Sequence, residues 1–233
     1  MKAGAVLIAA AAAASLSIGS PAAAPKRGAA AADWTRTVVA TPQGGFRMGN
    51  PNARVKLVEY GSLTCPHCRH FAETGVKPLL AGYVKTGKVS YEFRNMVLNG
   101  VDVAATLVAR CGGAPKFFGM ADDLYRTQRT WVGKIGSLSD ADKAALEKLP
   151  DGARLARIAE YGGIIAIAQR RGIAPARAKA CAANGAAFER LGKMYEAALA
   201  LGVTGTPTFF VNGNKVDGVE WSDLEPALRK AGG

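Results

Sequence analysis

Histidine is nearly absent from this 233-residue chain and cysteine is scarce, with two of the first and four of the second. Both histidines, His67 and His70, share one short stretch with Cys65 and Cys68, while Cys111 and Cys181 stand alone. Structural zinc needs four ligands, usually a second Cys-x-x-Cys or a histidine pair at set spacing. This inventory argues against a metal site. A c-type haem needs histidine directly after the second cysteine, and Arg69 stands there. No segment beyond the first two dozen residues has the ~20 apolar positions that span a bilayer. Nucleic-acid motifs and internal repeats are missing too, although the formal charge is +12. The Lys and Arg residues are scattered along helical segments, so that charge reads as a solvated basic surface. It suits acidic lipid or acidic client segments, and nucleic acid is not expected as a partner.

What is present begins at the N-terminus. Lys2 precedes the alanine-dominated apolar run from Ala3 to Ile18, and Ser20-Pro21 lead into Ala22-Ala23-Ala24. A short basic start, an apolar core and an A-x-A end make residues 1–24 a secretory signal peptide. Cleavage is expected after Ala24, with the alanine run at 29–32 as a second place. The run is too short for a membrane anchor, and no cysteine follows it to carry a lipid. The rest, in a chain that is 49% hydrophobic, suffices for one soluble domain with its own core. Four cysteines in an exported chain point to an oxidising compartment. Spacing favours pairing Cys65 with Cys68 and Cys111 with Cys181.

Residues 25–47 read as a polar, alanine-rich flexible leader to about Trp34, followed by a first strand at Thr37–Ala40 that Pro42–Gly45 ends. Residues 48–100 hold a turn cluster at Gly49–Asn52 and the run Val55–Tyr60, apolar on both parities as in a strand buried on both faces. A helix follows TCPHC to about Tyr83, where Pro78 is expected to kink it. Val89–Phe93 is another strand. From 101 to 201 the pattern is helical, with Val103, Leu107 and Cys111 spaced by four. Pro175 opens a helix that Asn184-Gly185 closes. Residues 202–233 return to a strand at Thr208–Val211, a hairpin signal at Asn212-Gly213, Lys215-Val216, and a helix from Ser222 to Lys230. Two halves that build one sheet, divided by a helical block, make an α/β fold with an inserted all-helical subdomain.

The Cys65–Cys68 pair carries the chemistry. A disulfide closing a two-residue gap would hardly constrain the unfolded chain, so reactivity explains the pair better than stability. A strand running straight into Cys-x-x-Cys at a helix start sets Cys65 beside unpaired backbone N–H groups and the positive helix end. Both favour thiolate over thiol. An imidazole on His67 adds to this where it is protonated or donates, so His67→Ala is expected to raise the Cys65 pKa. Pro66 has no N–H to lose at the first turn. Cys68 lies near enough to attack a mixed disulfide on Cys65, and a stabilised Cys65 thiolate makes the oxidised pair a strong oxidant.

Cys-Pro-His-Cys after a strand, Gly205-Thr206-Pro207-Thr208 before a late strand, and Gly49-Asn50-Pro51-Asn52-Ala53 resemble the bacterial periplasmic DsbA-like thioredoxin-fold oxidoreductases, over roughly residues 48–230. The resemblance implies a central mixed sheet flanked by helices, and no cofactor. Within it, Cys65 is the exposed nucleophile and Cys68 the buried resolving thiol. Pro207 is a cis-proline facing the pair, where the residues alone leave an ordinary trans turn open. Thr206 offers its backbone to an extended client segment, and Glu59 is a buried acid that handles protons beneath the site. His70 reads as an exposed side chain, and Trp131 and Trp221 as packing residues.

The implied function is a periplasmic oxidase that donates its disulfide to reduced, unfolded exported proteins and is reoxidised by a membrane quinone-linked partner of the DsbB type. Thr206 departs from the valine of the best-studied oxidase and is shared with isomerase-type relatives. An isomerase or reductase kept reduced by a membrane donor is therefore the alternative, and a non-redox holdase a third. Too little chain precedes Gly49 for the N-terminal dimerisation domain of DsbC-type isomerases, so a monomer is expected. Some DsbA-like relatives share a second cysteine pair in the helical subdomain. Cys111 follows Val103 and Leu107 on one helix face and Cys181 lies on an apolar stripe between Ala178 and Ala182, so both sulfurs are expected in the subdomain core. That likeness supports a structural Cys111–Cys181 disulfide against two buried free cysteines.

Overall fold

A computed structural model describes residue 1 and residues 32–233. The expected signal peptide falls outside them, apart from Met1. The first strand, β1, is Val38–Ala40 and the second, β2, is Phe46–Met48. Strand β2 carries no readable signal, since three residues with Arg47 in the middle are too few for a periodicity. Strand β3, Val55–Gly61, leads into the short helices α1, Pro66–Thr74, and α2, Val76–Leu79. Strand β4, Val89–Asn95, then runs parallel to β3.

The helical block comprises α3 (Gly100–Arg110), α4 (Ala114–Arg126), α5 (Gln128–Gly136), α6 (Asp140–Glu147), α7 (Asp151–Tyr161), α8 (Ile164–Arg170), α9 (Pro175–Ala182) and α10 (Gly185–Ala200). Strands β5, Thr208–Val211, and β6, Asn214–Val216, and helix α11, Trp221–Lys230, complete the chain. The six-stranded sheet has the order β1-β2-β4-β3-β5-β6, and every neighbouring pair except β3–β4 is antiparallel. This is the thioredoxin fold with its helices inserted between β4 and β5.

Local chemistry explains the boundaries. Asn212 and Gly213 have φ of 49° and 84°, the positive values that a two-residue hairpin turn between β5 and β6 demands. The α1 irregularity falls at Gly75, earlier than the expected kink at Pro78. A proline ring clashes with the carbonyl four residues before it, here that of Thr74, so the break moves upstream. Gly75 tolerates it, since a side chain there would strike the Phe71 ring. Asn184 does more than close α9, because its side chain accepts the Ala187 N–H at 2.8 Å and caps α10.

Most of the expected leader, residues 25–31, lies outside the described residues, but its last residues are ordered. Asp33 caps a single turn at Trp34–Arg36, and the Trp34 N–H donates to the Lys85 carbonyl at 3.4 Å. Gly87, with φ of 79°, leaves room for the indole.

One core lies between the sheet and the helices, with Phe46 stacked on Phe117 at 4.3 Å and Phe71 against Phe209 at 4.6 Å. A second joins Val103 and Leu107 of α3 to Leu155 and Ile158 of α7 and Leu191 of α10. Trp131 is buried, its indole N–H donating to the Leu124 carbonyl at 2.8 Å. Trp221 packs edge-on to Tyr83. Cys111 and Cys181 are disulfide-bonded across 70 residues. Both are half-buried, so the bridge sits on the rim of the subdomain and not in its core. Cys111 already stands at the C-cap of α3, and Cys181 lies beside the buried Ala178 and Ala182 near the end of α9. Among the described residues, no helix is long and apolar enough to cross a membrane.

Candidate active site

Strand β3 points Val55, Leu57 and Glu59 to one buried face, then hands the chain through Ser62–Thr64 to the start of α1. Cys65 is the N-cap, with extended φ and ψ of −74° and 124°, and Pro66 opens the first turn. The Thr206–Pro207 peptide is cis. This loop lies against the thiols, and Cys65 Sγ donates to the Thr206 carbonyl at 3.2 Å. Cys65 is only 6% exposed, which corrects the expected exposed nucleophile: the cis-proline loop covers it. Cys68 is fully buried, as expected, and its sulfur accepts the Ser62 N–H at 3.5 Å. The structure holds both as thiols.

The two thiols are driven apart in acidity. Cys65 is pulled down to about 5, chiefly by the Cys68 thiol, against the opposing effect of burial; the Thr206 side chain and the backbone amides of Cys68 and His67 add to the pull. Burial pushes the Cys68 thiol well above its ordinary value, and the Cys65 and Glu59 charges reinforce that. Cys65 is the thiolate of the pair and Cys68 the proton holder.

Glu59 is 1% exposed, flanked in the sheet by Phe93 on β4 and Phe209 on β5. Burial raises its pKa to about 8, although the Tyr91 hydroxyl, donating to its Oε2 at 2.5 Å, opposes this. At neutral pH the folded protein therefore keeps this carboxyl protonated and neutral; the negative charge that would raise Cys68 further develops only as pH climbs past about 8. His67 presents its backbone amide to the Cys65 sulfur, while its side chain lies exposed. His70 is exposed and meets Glu220 at 3.0 Å. Tyr91, Asp102, Tyr125 and Gln128 also converge on this region, and sequence reading did not single them out. The one local signal is Asp102, an acid within the otherwise apolar Val101–Ala105. Among the described residues, no three His, Cys, Asp or Glu side chains gather as metal ligands would.

A sheet in this order, a dithiol at the start of α1 and a cis-proline against it define a thioredoxin-fold protein with a helical insertion. The chain belongs to the thioredoxin family, whose model matches residues 41–230. It is 28% identical over 186 residues to a Rickettsia bellii protein provisionally named a protein-disulfide oxidoreductase, covering 79% of this chain and 63% of that protein. The chain thus spans under two thirds of that relative's length. A crystal structure described as a protein-disulfide isomerase from Novosphingobium aromaticivorans superposes with a TM-score of 0.74 and 29% identity, covering 80% of this chain and 97% of that one. Wolbachia pipientis alpha-DsbA1 shares the fold at a TM-score of 0.62 and 22% identity, covering 83% and 92%.

Proposed function

We propose that the chain is an exported, periplasmic thiol:disulfide oxidoreductase that donates the Cys65–Cys68 disulfide to newly exported proteins. The observation that carries this reading is the unequal placement of the two thiols, Cys65 at the N-cap of α1 against the cis Thr206–Pro207 loop and Cys68 fully buried. This placement pulls Cys65 down to about 5 and drives Cys68 upward. A client thiolate attacks Cys65 Sγ, the Cys65–Cys68 bond breaks, and Cys68 leaves and takes a proton, for which Glu59 is the nearby carrier. A second client thiolate then attacks the client sulfur of the mixed disulfide, and Cys65 leaves as a stable thiolate. The client loses two electrons and forms its disulfide; the pair gains them. A low-pKa leaving thiol speeds the second step and stabilises the reduced product, which makes the oxidised pair strongly oxidising.

In this reading the chain acts as a monomer, and a membrane quinone-linked partner of the DsbB type reoxidises it. Measuring the reduction potential of Cys65–Cys68, and the oxidation of reduced, unfolded ribonuclease, tests it. A potential near that of a cytosolic reductant would sink it. The Novosphingobium neighbour's description and the threonine at 206 favour an isomerase as the second reading. Trapping the redox state of the pair in cells separates the two, since a resident oxidase is recovered mostly oxidised and an isomerase mostly reduced.

A further inference from the structure

Leu63 is fully buried in the link between β3 and α1, where neither a sheet nor a helix serves its backbone. Buried peptide groups must find partners. Some of this link pair locally, the Cys65 N–H with the Ser62 carbonyl and the Cys65 carbonyl with the Arg69 N–H of α1. The rest turn to the helical insertion, which also reinforces two of these carbonyls. The Leu63 N–H donates to Asp102 Oδ1 at 3.0 Å. The Gln128 side-chain amide donates to the Leu63 carbonyl at 2.8 Å and to the Cys65 carbonyl at 3.0 Å. The Tyr125 hydroxyl donates to the Ser62 carbonyl at 3.1 Å. All three side chains are buried.

We propose that Gln128 and Asp102 are positioning residues for the redox centre, fixing the backbone that aims Cys65 at the first-turn amides and at Thr206. Neither touches a sulfur, so both act through the main chain. A primary amide carries two donors, and Gln128 spends both on this segment, one on either side of Thr64. Asp102 spends its second oxygen on the Leu98 N–H at 3.0 Å, tying the loop before α3 to the link before α1. Sulfur–amide interactions weaken steeply with distance and angle. A small release of this segment therefore reaches the Cys65 thiolate directly.

The inference rests on the oxidoreductase reading for its importance, but its test does not. Thiolate absorbance of Cys65 against pH would be followed in the full-length protein and in Gln128→Leu, which keeps the volume and loses both donors. The expected result is a midpoint raised by one unit, about a tenfold loss of thiolate at a given acidic pH, with a folded circular dichroism spectrum. Trp131→Phe is the control, because it removes another buried side-chain-to-backbone bond from the same helix without touching the Cys65 segment. An unchanged midpoint in folded Gln128→Leu, or an equal rise in Trp131→Phe, overturns the proposal. Should Gln128→Leu not fold, Asp102→Asn carries the same measurement. It keeps one acceptor oxygen and loses the other, so a raised midpoint supports the clamp and an unchanged one refutes it. Failure of the wild-type protein to oxidise ribonuclease would remove the functional reading and leave this one standing.

Discussion

The sulfur of Cys65 meets the carbonyl oxygen of Thr206 at 3.2 Å, although 141 residues separate them in the chain. That bond exists only while Cys65 keeps its proton. Once the thiolate forms, it needs donors. The Thr206 hydroxyl is buried and, among the described residues, has no hydrogen-bond partner in the thiol form, so it is free to turn to the sulfur. One residue thus serves both protonation states, by its carbonyl before ionisation and by its hydroxyl after.

Replacing Thr206 by valine keeps the shape and removes the donor. We expect the Cys65 midpoint to rise from about 5 by roughly one unit, and the protein to become a weaker oxidant. The Cys68 thiol, the larger influence, remains in place, so the pKa should stay well below that of a free cysteine. Thiolate absorbance and a glutathione equilibrium read both effects. A midpoint that does not move assigns the orphaned hydroxyl no part in the chemistry.

His67 is a sharper case, because the structure separates its two contributions. Its backbone amide faces the Cys65 sulfur and its side chain is exposed. His67→Ala keeps the amide, so we now expect the Cys65 midpoint to stay near 5, in contrast to the rise read from the sequence. A rise of a full unit would return the effect to the imidazole.

How much of this was legible follows from where each signal resides. The Cys65–Cys68 spacing, Pro66, the Thr206-Pro207 pair and the parity that buries Glu59 are local, and local patterns survive in a sequence. The partners of the Cys65 segment are not local. Gln128 reaches Leu63 across 65 residues and Asp102 reaches it across 39, and no spacing rule joins a helix start to a loop so far away. The covering of Cys65 is hidden for the same reason, since it depends on how closely the cis-proline loop packs. Strand β2 was lost to its brevity. The early order at Trp34 was lost because its partner, the glycine-bearing turn at 87, lies on another element.

The pH dependence of stability should differ between the two redox forms. Glu59 holds its proton in the folded state up to about 8, against an ordinary value of 4.5. The unfolded chain releases a proton that the folded one retains, so stability falls as pH climbs between those values. Cys65 acts oppositely in the reduced protein, with a folded pKa near 5 against an ordinary 9.0. Its contribution grows as pH rises through that window, and the disulfide form lacks it. We expect oxidised wild type, where burial still raises Glu59 although the Cys65 charge is gone, to lose stability from pH 5 to 8, and oxidised Glu59→Gln to lose far less. The reduced form should gain on the oxidised one across the same range. Urea unfolding of both forms at the two pH values checks this, and parallel curves for wild type and Glu59→Gln would refute it.

The Cys111–Cys181 disulfide should outlast the catalytic one. It closes a 70-residue separation, for which chain entropy gives about 4 kcal/mol, whereas a bridge across two intervening residues gains little. The larger the stabilisation a bridge provides, the more reducing the reagent needed to open it. Being half-buried on the rim, the structural bridge is not protected by inaccessibility, so its resistance is thermodynamic. Mild dithiol treatment of the oxidised protein, followed by alkylation and peptide mapping, should label Cys65 and Cys68 and leave Cys111 and Cys181 unlabelled. Replacing both rim cysteines by alanine should lower the unfolding free energy by roughly 2–4 kcal/mol while the Cys65 titration stays where it is, since the bridge touches neither the Cys65 segment nor the cis-proline loop. Equal labelling of all four cysteines under mild reduction would show the bridge to be labile, and a shifted Cys65 midpoint in the double variant would show it to be coupled to the redox centre.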